Sequence, residues 1–288
     1  MDTRHVRSIL VPMDGSAAAD AAFALALRLA APDGEVIVTH VIDRATIAAE
    51  CVTPYGGDPT PVLAALDEDE ETLLERAREQ AHAANVRCLT LAADGNPIRE
   101  ICSLARQRKV DAIAMGTHGR RGLARLILGN TAAGVLHQTD VPTFVVHEES
   151  AELAARPFRQ ILVALDPSAG ARNAVRAAID LAAHDGGAVF FAHVAERDDG
   201  AAERQALQEG RRLAHAAHVS TDAATLGGDP VEALLVAAET MHANLIAVGA
   251  HRNATGGFRM GSVAEAIART SPVPVLVVPV TPVAAAAR

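Results

Sequence analysis

The chain has no tryptophan, one tyrosine (Tyr55) and six phenylalanines among its 288 residues. Proteins that bind single-stranded nucleic acid stack the bases on aromatic side chains, so this class of function is not expected. Duplex binders are basic, whereas the formal net charge here is −9, with −7 in residues 1–150 and −2 in residues 151–288. The composition therefore predicts no nucleic-acid partner.

Cysteine and lysine are also scarce. The three cysteines, Cys51, Cys88 and Cys102, lack CxxC spacing, which argues against a disulfide framework or a zinc site and suits a reducing compartment. The single lysine, Lys109, is not part of a Gly-Lys-Ser/Thr motif, which excludes a Walker phosphate loop. Apolar runs stop well short of the roughly 18 residues that span a bilayer, and no signal-peptide pattern precedes the first strand. We expect a cytoplasmic protein with no membrane partner.

What the chain does contain is one pattern of residues that occurs twice. Residues 9–16, ILVPMDGS, return 152 positions later as ILVALDPS. MGTH at 115–118 returns as VGAH at 248–251, and VPTFVV at 141–146 returns as VPVLVV at 273–278. The shared order and spacing indicate a duplicated unit of about 130 residues, far longer than a solenoid repeat. We predict two domains, at residues 1–150 and 151–288.

Short β-branched runs alternate with Ala- and Leu-rich helical stretches in each copy. The predicted strands lie near 7–13, 35–42, 86–92, 110–115 and 143–147, and again near 159–165, 188–194, 219–225, 244–248 and 275–280. The predicted helices of the first copy lie near 17–30, 67–84, 97–108 and 130–138. The nearly continuous apolar strands favour an α/β fold in which helices cover both faces of a parallel sheet. The acidic run at 67–71 is expected to be the solvated start of a helix.

Two segments have no counterpart in the repeat. Residues 44–62 occur only in the first copy and contain a cluster of turn residues after the second strand. Loops in this position lie over the carboxyl edge of the sheet, so the segment is either a lid or a surface excursion without a role. The linker at 148–158 is short, and we expect the two copies to pack together.

Polar residues and glycines follow the first and fourth strands of the first copy. Asp14 ends the first strand and Gly116 the fourth, and they flank one crevice if those strands are neighbours. Gly129 then opens a helix whose free N–H groups suit phosphate, with arginines 120, 121 and 125 as charge partners. Asp14 could accept a ribose hydroxyl or help to hold a divalent ion. Alternatively it caps the first helix, a role that Ser16 could share.

These features together resemble the universal stress protein family in its tandem form. The motif residues are the Asp after the first strand, the pattern Gly116-x2-Gly119-x9-Gly129, and the final VPTFVV strand. Asn130 stands where the family usually has Ser or Thr. The resemblance covers the chain apart from 44–62 and the linker. It implies two tandem doubly wound five-stranded parallel-sheet domains of strand order 3-2-1-4-5, like the adenine nucleotide alpha hydrolases. Because fifth-strand edges face one another in family dimers, it also implies a pseudo-twofold within this chain.

The resemblance further implies that copies with the intact signature bind ATP, with or without Mg²⁺. The candidate nucleotide-binding residues of the first copy are Pro12, Asp14, Val41, Met115, Gly116, His118, Gly119, Arg120, Gly129, Asn130 and Thr131.

The second copy departs from this signature. Arg252 replaces the second glycine, and eight residues rather than nine separate it from Gly261. We expect ordinary ATP binding to be lost there, with Arg252 filling the site or with a smaller or different anion bound. The second-copy candidates are Asp166, Val194, Gly249, Arg252, Gly261, Ser262 and Val263. A Gly249→Ala change is expected to weaken nucleotide binding much less than Gly119→Arg in the first copy, which should abolish it.

Three functions remain open at this point. The leading one is an ATP-binding stress-response module that senses or signals through bound adenine nucleotide, with little or no turnover and an unidentified protein partner. The first alternative is a slow hydrolase of ATP or another adenylate, although no spacing singles out a catalytic base. The second is a protein-interaction scaffold with vestigial sites. No set of ligands predicts a metal site made by the protein alone. The chain would be an intrachain pseudo-dimer, alone or as a homodimer.

Overall fold

The computed structural model describes residues 6–30, 34–51, 57–117, 128–195, 200–252 and 258–280. Strands and helices alternate in the first copy, as the periodicity predicts. In chain order they are β1 (Ser8–Pro12), α1 (Ala17–Ala30), β2 (Glu35–Ile42), α2 (Arg44–Cys51), α3 (Thr60–Ala83), β3 (Arg87–Asp94), α4 (Pro97–Arg108), β4 (Ala112–Gly116), α5 (Asn130–Gln138) and β5 (Thr143–Val146).

The linker forms a 3₁₀ turn (Glu148–Ser150) and a short helix α6 (Ala151–Ala154). The second copy then repeats the alternation with one small addition, a two-stranded ribbon formed by His251–Arg252 and Phe258–Arg259. Its elements are β6 (Gln160–Ala164), α7 (Ala169–Asp185), β7 (Ala188–Val194), α8 (Ala201–Ala216), β8 (Ser220–Leu226), α9 (Pro230–Thr240), β9 (Leu245–Gly249), β10 (His251–Arg252), β11 (Phe258–Arg259), α10 (Ser262–Thr270) and β12 (Val275–Val278).

All the long strands belong to one ten-stranded sheet with the order β3-β2-β1-β4-β5-β12-β9-β6-β7-β8. The predicted order 3-2-1-4-5 is therefore confirmed in each half. Strands are parallel within a half, while β5 and β12 pair antiparallel, with Val145 opposite Val275 and Phe144 opposite Leu276. This antiparallel joint relates the halves by a pseudo-twofold and confirms the predicted contact between the fifth strands.

Helices cover both faces of this sheet, and each face has a hydrophobic core that runs through both copies. On one face Phe23, Phe144, Phe158 and Phe191 are all almost fully buried. In the described part of the chain, no helix combines the length and the apolar character that a membrane span requires.

The segment 44–62 and the acidic run differ from the sequence-based expectation. The segment is not a plain loop, because α2 occupies residues 44–51 and α3 already begins at Thr60. Asp58 accepts the backbone N–H of Thr60 at 2.9 Å, and Pro61 stands in the first turn, where the backbone has no intrahelical partner to lose. The acidic run consequently lies inside α3. Its Glu70 is buried and binds Arg44 of α2 at 2.9 Å, so this residue is not part of a solvated face.

A second contact between the copies is a buried cluster around Arg28 of α1. Its guanidinium lies 4.5 Å from the ring centroid of Phe158 and 2.9 Å from the carboxylate of Asp185 at the end of α7. The ring of Phe158 in turn stacks on Phe144 of β5, with centroids 6.3 Å apart. Because the Asp185 side chain is only 5% exposed, its charge depends on these partners.

Burial and hydrogen bonding act on Asp185 in opposite directions. Burial raises the pKa of the Asp185 carboxyl. Hydrogen bonds from the Phe158 N–H and the His184 ring, together with the charge of Arg28, outweigh this effect and hold the pKa below its ordinary value. A carboxyl whose pKa is lowered by folding stabilises the folded state above its unfolded pKa. That contribution is lost as the pH falls through the folded pKa.

We therefore predict that Asp185→Asn lowers the free energy of unfolding by about 3 kcal/mol near neutral pH, because it leaves Arg28 buried without its counter-charge. The difference from wild type should stay constant down to about pH 4 and shrink below it. Urea denaturation across this pH range measures both effects. The control is Asp222→Asn, whose carboxylate pairs with Arg211 but is 79% exposed and should contribute less than about 1 kcal/mol. Equal losses in the two variants would contradict the prediction.

Candidate functional site

The carboxyl ends of β1 and β4, which are neighbours in the sheet, form one side of a cleft of about 220 Å³. The end of β2 and the starts of α4 and α5 also line it. This is the switch point of the strand order, where ligands bind in doubly wound sheets. The cleft brings together these predicted residues: Pro12, Asp14, Val41, Met115, Gly116, Gly129, Asn130 and Thr131. His118, Gly119 and Arg120 lie outside the described residues.

Asp14 forms the turn that leads from β1 into α1. Its Oδ1 accepts both the backbone N–H and the hydroxyl of Ser16, at 3.0 and 2.7 Å. Ser16 Oγ accepts the N–H of Ala19 at 3.2 Å, so Ser16 caps the helix and Asp14 supports the cap. The turn also needs Gly15, whose φ of +78° is in the left-handed region. Among the described residues, Asp14 Oδ2 has no partner, and this oxygen remains available to a ligand.

The end of β2 presents an unpaired stretch of backbone to the cleft. Met13 N–H donates to Thr39 O, and Gly95 N–H donates to Ile42 O. Because successive residues of a strand face opposite neighbours, Val41 faces the side of β1, which has already ended at Pro12. The N–H and C=O of Val41 therefore have no backbone partner among the described residues. An unpaired N–H beside a C=O matches the donor and acceptor edge of an adenine base.

His40 keeps this edge of Val41 open, and sequence reasoning did not identify it. Its Nδ1 lies 2.6 Å from the carbonyl oxygen of Met13, which is the next acceptor along the β1 side. In the second copy His193 Nδ1 makes the same contact with Leu165 O at 2.9 Å. The available signal was a His-Val pair at the end of the second strand of each copy, at 40–41 and 193–194.

The N-terminus of α5 supplies the other end of the cleft. Gly129 occupies the N-cap position, and no side chain of the described residues caps the helix. The first backbone N–H groups of a helix have no intrahelical acceptor, so this end offers an uncapped set of donors to an anion. The N–H of Gly129 itself donates to Thr117 O at 2.7 Å. This bond joins the residue before α5 to the residue after β4.

The structure gives Gly116 a second reason to be glycine. A Cβ at this position would lie 2.7 Å from backbone atoms of Ala18 and Ala19 at the start of α1. At the equivalent Gly249, a Cβ would come even closer to the backbone of Gly170 and Ala171. That Gly249→Ala affects nucleotide binding much less than Gly119→Arg stays a prediction, but Gly249 also has a structural role, because it lets α7 pack against β9 whether or not a ligand binds.

The second copy keeps a cleft in the equivalent position, of about 400 Å³. It brings together the predicted residues Asp166, Val194, Gly249, Gly261, Ser262 and Val263. Ser168 N–H donates to Asp166 Oδ1 at 2.9 Å, as in the first copy. Two features differ: Pro167 replaces the positive-φ glycine, and Glu203 adds a carboxylate to the lining. Arg252 lies in β10, opposite Phe258 of β11, and its side chain is outside the described residues.

Within the part of the chain that the structure describes, the cysteines give no sign of a second chemical centre. The three cysteines are free, and burial raises the thiol pKa of Cys88 and Cys102, which disfavours the reactive thiolate. Within the described residues, no group of three or more His, Cys, Asp or Glu side chains could hold a metal ion.

Comparison with known proteins gives a consistent set of similarities. The family model described as the Universal stress protein family matches residues 5–147 and 157–279. A universal stress protein of Mycolicibacterium smegmatis is 29% identical over 298 residues, covering 94% of this chain and 96% of that protein. One from Methanocaldococcus jannaschii is 30% identical over 152 residues, covering 51% of this chain and 85% of that protein. The crystal structure of a universal stress protein from Archaeoglobus fulgidus has a TM-score of 0.77 at 23% identity, covering 96% of this chain and 99% of that one, which shows a shared fold.

We predict that Gly249→Ala and Gly116→Ala each destabilise the protein by about 2 kcal/mol or more, because the added methyl group would overlap backbone and force it to move. Thermal or urea denaturation measures the loss. Gly227→Ala is the control, since a Cβ there has no atom within 4 Å and should change stability by less than about 0.5 kcal/mol. A Gly249→Ala protein as stable as the control would show that the two backbones separate without strain.

Proposed function

Because the chain belongs to the universal stress protein family, we propose that its first copy binds one molecule of ATP and signals its occupancy to a protein partner rather than hydrolysing it. The observation that carries this proposal is the arrangement of three groups around one cleft. They are the open backbone edge of Val41, the carboxylate of Asp14 and the uncapped N-terminus of α5.

These groups match the three parts of a nucleotide in order. The Val41 N–H and C=O would pair with the base, and the neighbouring Pro12 and Met115 provide apolar walls for its ring. Asp14 Oδ2 would accept a ribose hydroxyl or help to hold Mg²⁺ beside the phosphates. The first N–H groups of α5, at Asn130 and Thr131, would donate to phosphate oxygens, and the helix dipole favours their charge. Mg²⁺ would supply charge neutralisation of the phosphates.

Differences between the copies favour a single nucleotide per chain. In the second copy, Glu203 adds negative charge to the cleft lining, which opposes a polyphosphate. The sequence also places Arg252 where the first copy has Gly119. A side chain there would occupy space through which backbone N–H groups reach phosphate.

The described part of the first cleft favours a sensor over a hydrolase. Hydrolysis requires a group that orients the attacking water. The ionisable side chains on the described lining are Asp14 and His40, and Asp14 Oδ1 and His40 Nδ1 are both used to hold local structure. The cytoplasmic location and the protein partner remain predictions.

We predict that Asp14→Asn weakens ATP binding about tenfold or more, because it removes a charge-assisted hydrogen bond or a magnesium ligand. Asn retains an oxygen for the Ser16 contacts, so the turn should survive. Isothermal titration with ATP and Mg²⁺ should give one equivalent per wild-type chain. With no tryptophan and one tyrosine, copurified adenine would dominate the ultraviolet spectrum.

Asp166→Asn is the matched control, because Asp166 accepts the equivalent serine N–H in the second copy. It should leave ATP affinity unchanged, and Gly119→Arg should abolish binding. Two equivalents of ATP per chain, or an equal loss of affinity in Asp14→Asn and Asp166→Asn, would overturn the assignment of the site to the first copy.

We also predict that multiple-turnover ATP hydrolysis by the purified protein stays near the buffer background at saturating ATP and Mg²⁺. Phosphate release over hours, with an Asp14→Asn sample as reference, measures this. A steady rate that Asp14→Asn abolishes, at an ATP concentration that still saturates the variant, would favour the hydrolase instead.

A further inference from the structure

A buried histidine connects Thr117, which lines the first cleft, to the second copy. His147, the residue after β5, is 4% exposed, and Thr117, the residue after β4, is 1% exposed. His147 Nδ1 lies 3.3 Å from Thr117 Oγ1, and His147 Nε2 lies 3.0 Å from the carbonyl oxygen of Ala268 in α10. A carbonyl oxygen only accepts, so Nε2 carries a hydrogen. In a neutral ring, Nδ1 then accepts the Thr117 hydroxyl.

The carbonyl oxygen of Ala268 in the second copy requires a hydrogen-bond donor, and His147 supplies it. In a continuing helix, Ala268 O would accept the N–H of the residue four positions later, but that residue is Pro272, which has no N–H. Helix α10 ends at Thr270, so Ala268 O is one of the unpaired carbonyls of a helix C-terminus. The bond from His147 satisfies it and fixes the orientation of the imidazole ring.

The backbone of Thr117 in turn links β5 to the N-terminus of α5. Its backbone N–H donates to Val146 O at 3.0 Å, and its carbonyl accepts the N–H of Gly129 at 2.7 Å. The Gly129 bond positions the first turn of α5, whose N–H groups face the phosphate half of the cleft. Any shift of Thr117 would therefore move the groups proposed to hold phosphate.

The pseudo-symmetric position in the second copy lacks this pair of side chains. Ala250 replaces Thr117 and Pro279 replaces His147. Neither replacement side chain has a hydrogen-bonding group. The link is thus present only beside the cleft that retains the glycine signature.

We propose that His147, oriented by helix α10 of the second copy, positions Thr117 and thereby sets the phosphate-binding geometry of the first cleft. Thr117 and His147 are positioning residues in this proposal, which rests on the proposed function. Loss of the pair should weaken the binding of ligands that carry phosphate and leave the affinity for ligands without phosphate unchanged.

The test compares Thr117→Val with Thr143→Val by calorimetry, using ATP and adenosine as probes. Thr143 is also fully buried, and its hydroxyl donates to Val141 O at 3.0 Å, so both variants lose one buried hydroxyl with little change of shape. Thr117→Val should weaken ATP binding about tenfold, the scale of one buried hydrogen bond. Its adenosine affinity should stay within about twofold of wild type. Thr143→Val should leave both affinities unchanged.

His147→Gln completes a double-mutant cycle. The glutamine amide can still reach Ala268 O in the place of Nε2, but it offers nothing at the position of Nδ1. His147→Gln should therefore weaken ATP about as much as Thr117→Val. The double variant should bind ATP no more weakly than either single variant, because each single substitution already removes the same hydrogen bond.

Four results would overturn the positioning role without affecting the proposal that ATP binds. They are an unchanged ATP affinity in Thr117→Val, parallel losses of ATP and adenosine affinity in that variant, an equal loss in Thr143→Val, and additive losses in the double variant. Failure of the wild-type chain to bind ATP would overturn the proposed function and this inference together.

Discussion

The antiparallel pairing of β5 with β12 is the contact on which the rest of the molecule depends. It joins two five-stranded sheets into one and removes an exposed edge from each, since unpaired edge strands are prone to association. The paired residues Phe144, Val145, Val275 and Leu276 are almost fully buried. The pairing therefore fixes the two clefts relative to each other. It also places His147, the residue after β5, beside the C-terminus of α10, where its ring contacts the carbonyl oxygen of Ala268.

The duplicated halves separate structural requirements from functional ones. Three features are present in both copies. An Asp after the first strand supports the serine that caps the next helix, and a glycine ends the fourth strand. A histidine near the end of the second strand contacts the carbonyl oxygen of the residue after the first strand. Each has a packing or hydrogen-bonding reason that needs no ligand. Features present only in the first copy include Gly15 with its positive φ, the Thr117–His147 pair and the second glycine of the motif. These differences are the ones that bear on what the two clefts bind.

Several elements were predictable because their cause is local. Strand positions followed from short apolar runs, and α4 begins at Pro97 as expected, capped by Asn96. The start of α3 was missed because Asp58 was read as a turn residue and Pro61 was not used as a signal, although both favour a helix N-terminus. Glu70 was expected in solvent because its neighbours in sequence are acidic, and only the position of α2 brings Arg44 to it. The packing role of Gly249 was not foreseen for a similar reason, because the backbone that excludes a Cβ there belongs to Gly170 and Ala171 of α7, far away in the sequence.

The sequence by itself determined the duplication, the class of fold and the placing of Asp14, Gly116 and Gly129 at one crevice, since repeats, apolar periodicity and strand-end motifs can be read from the order of residues. The sequence resemblance also predicted the strand order and the contact between fifth strands, which the sheet confirms. Only the tertiary structure decided which polar groups are already used and which remain open. The occupied carbonyl of Met13, the unpaired edge of Val41 and the path from Thr117 through His147 to Ala268 join residues far apart in the chain. Such hydrogen bonds depend on angles and distances of a few ångströms, which sequence spacing does not specify.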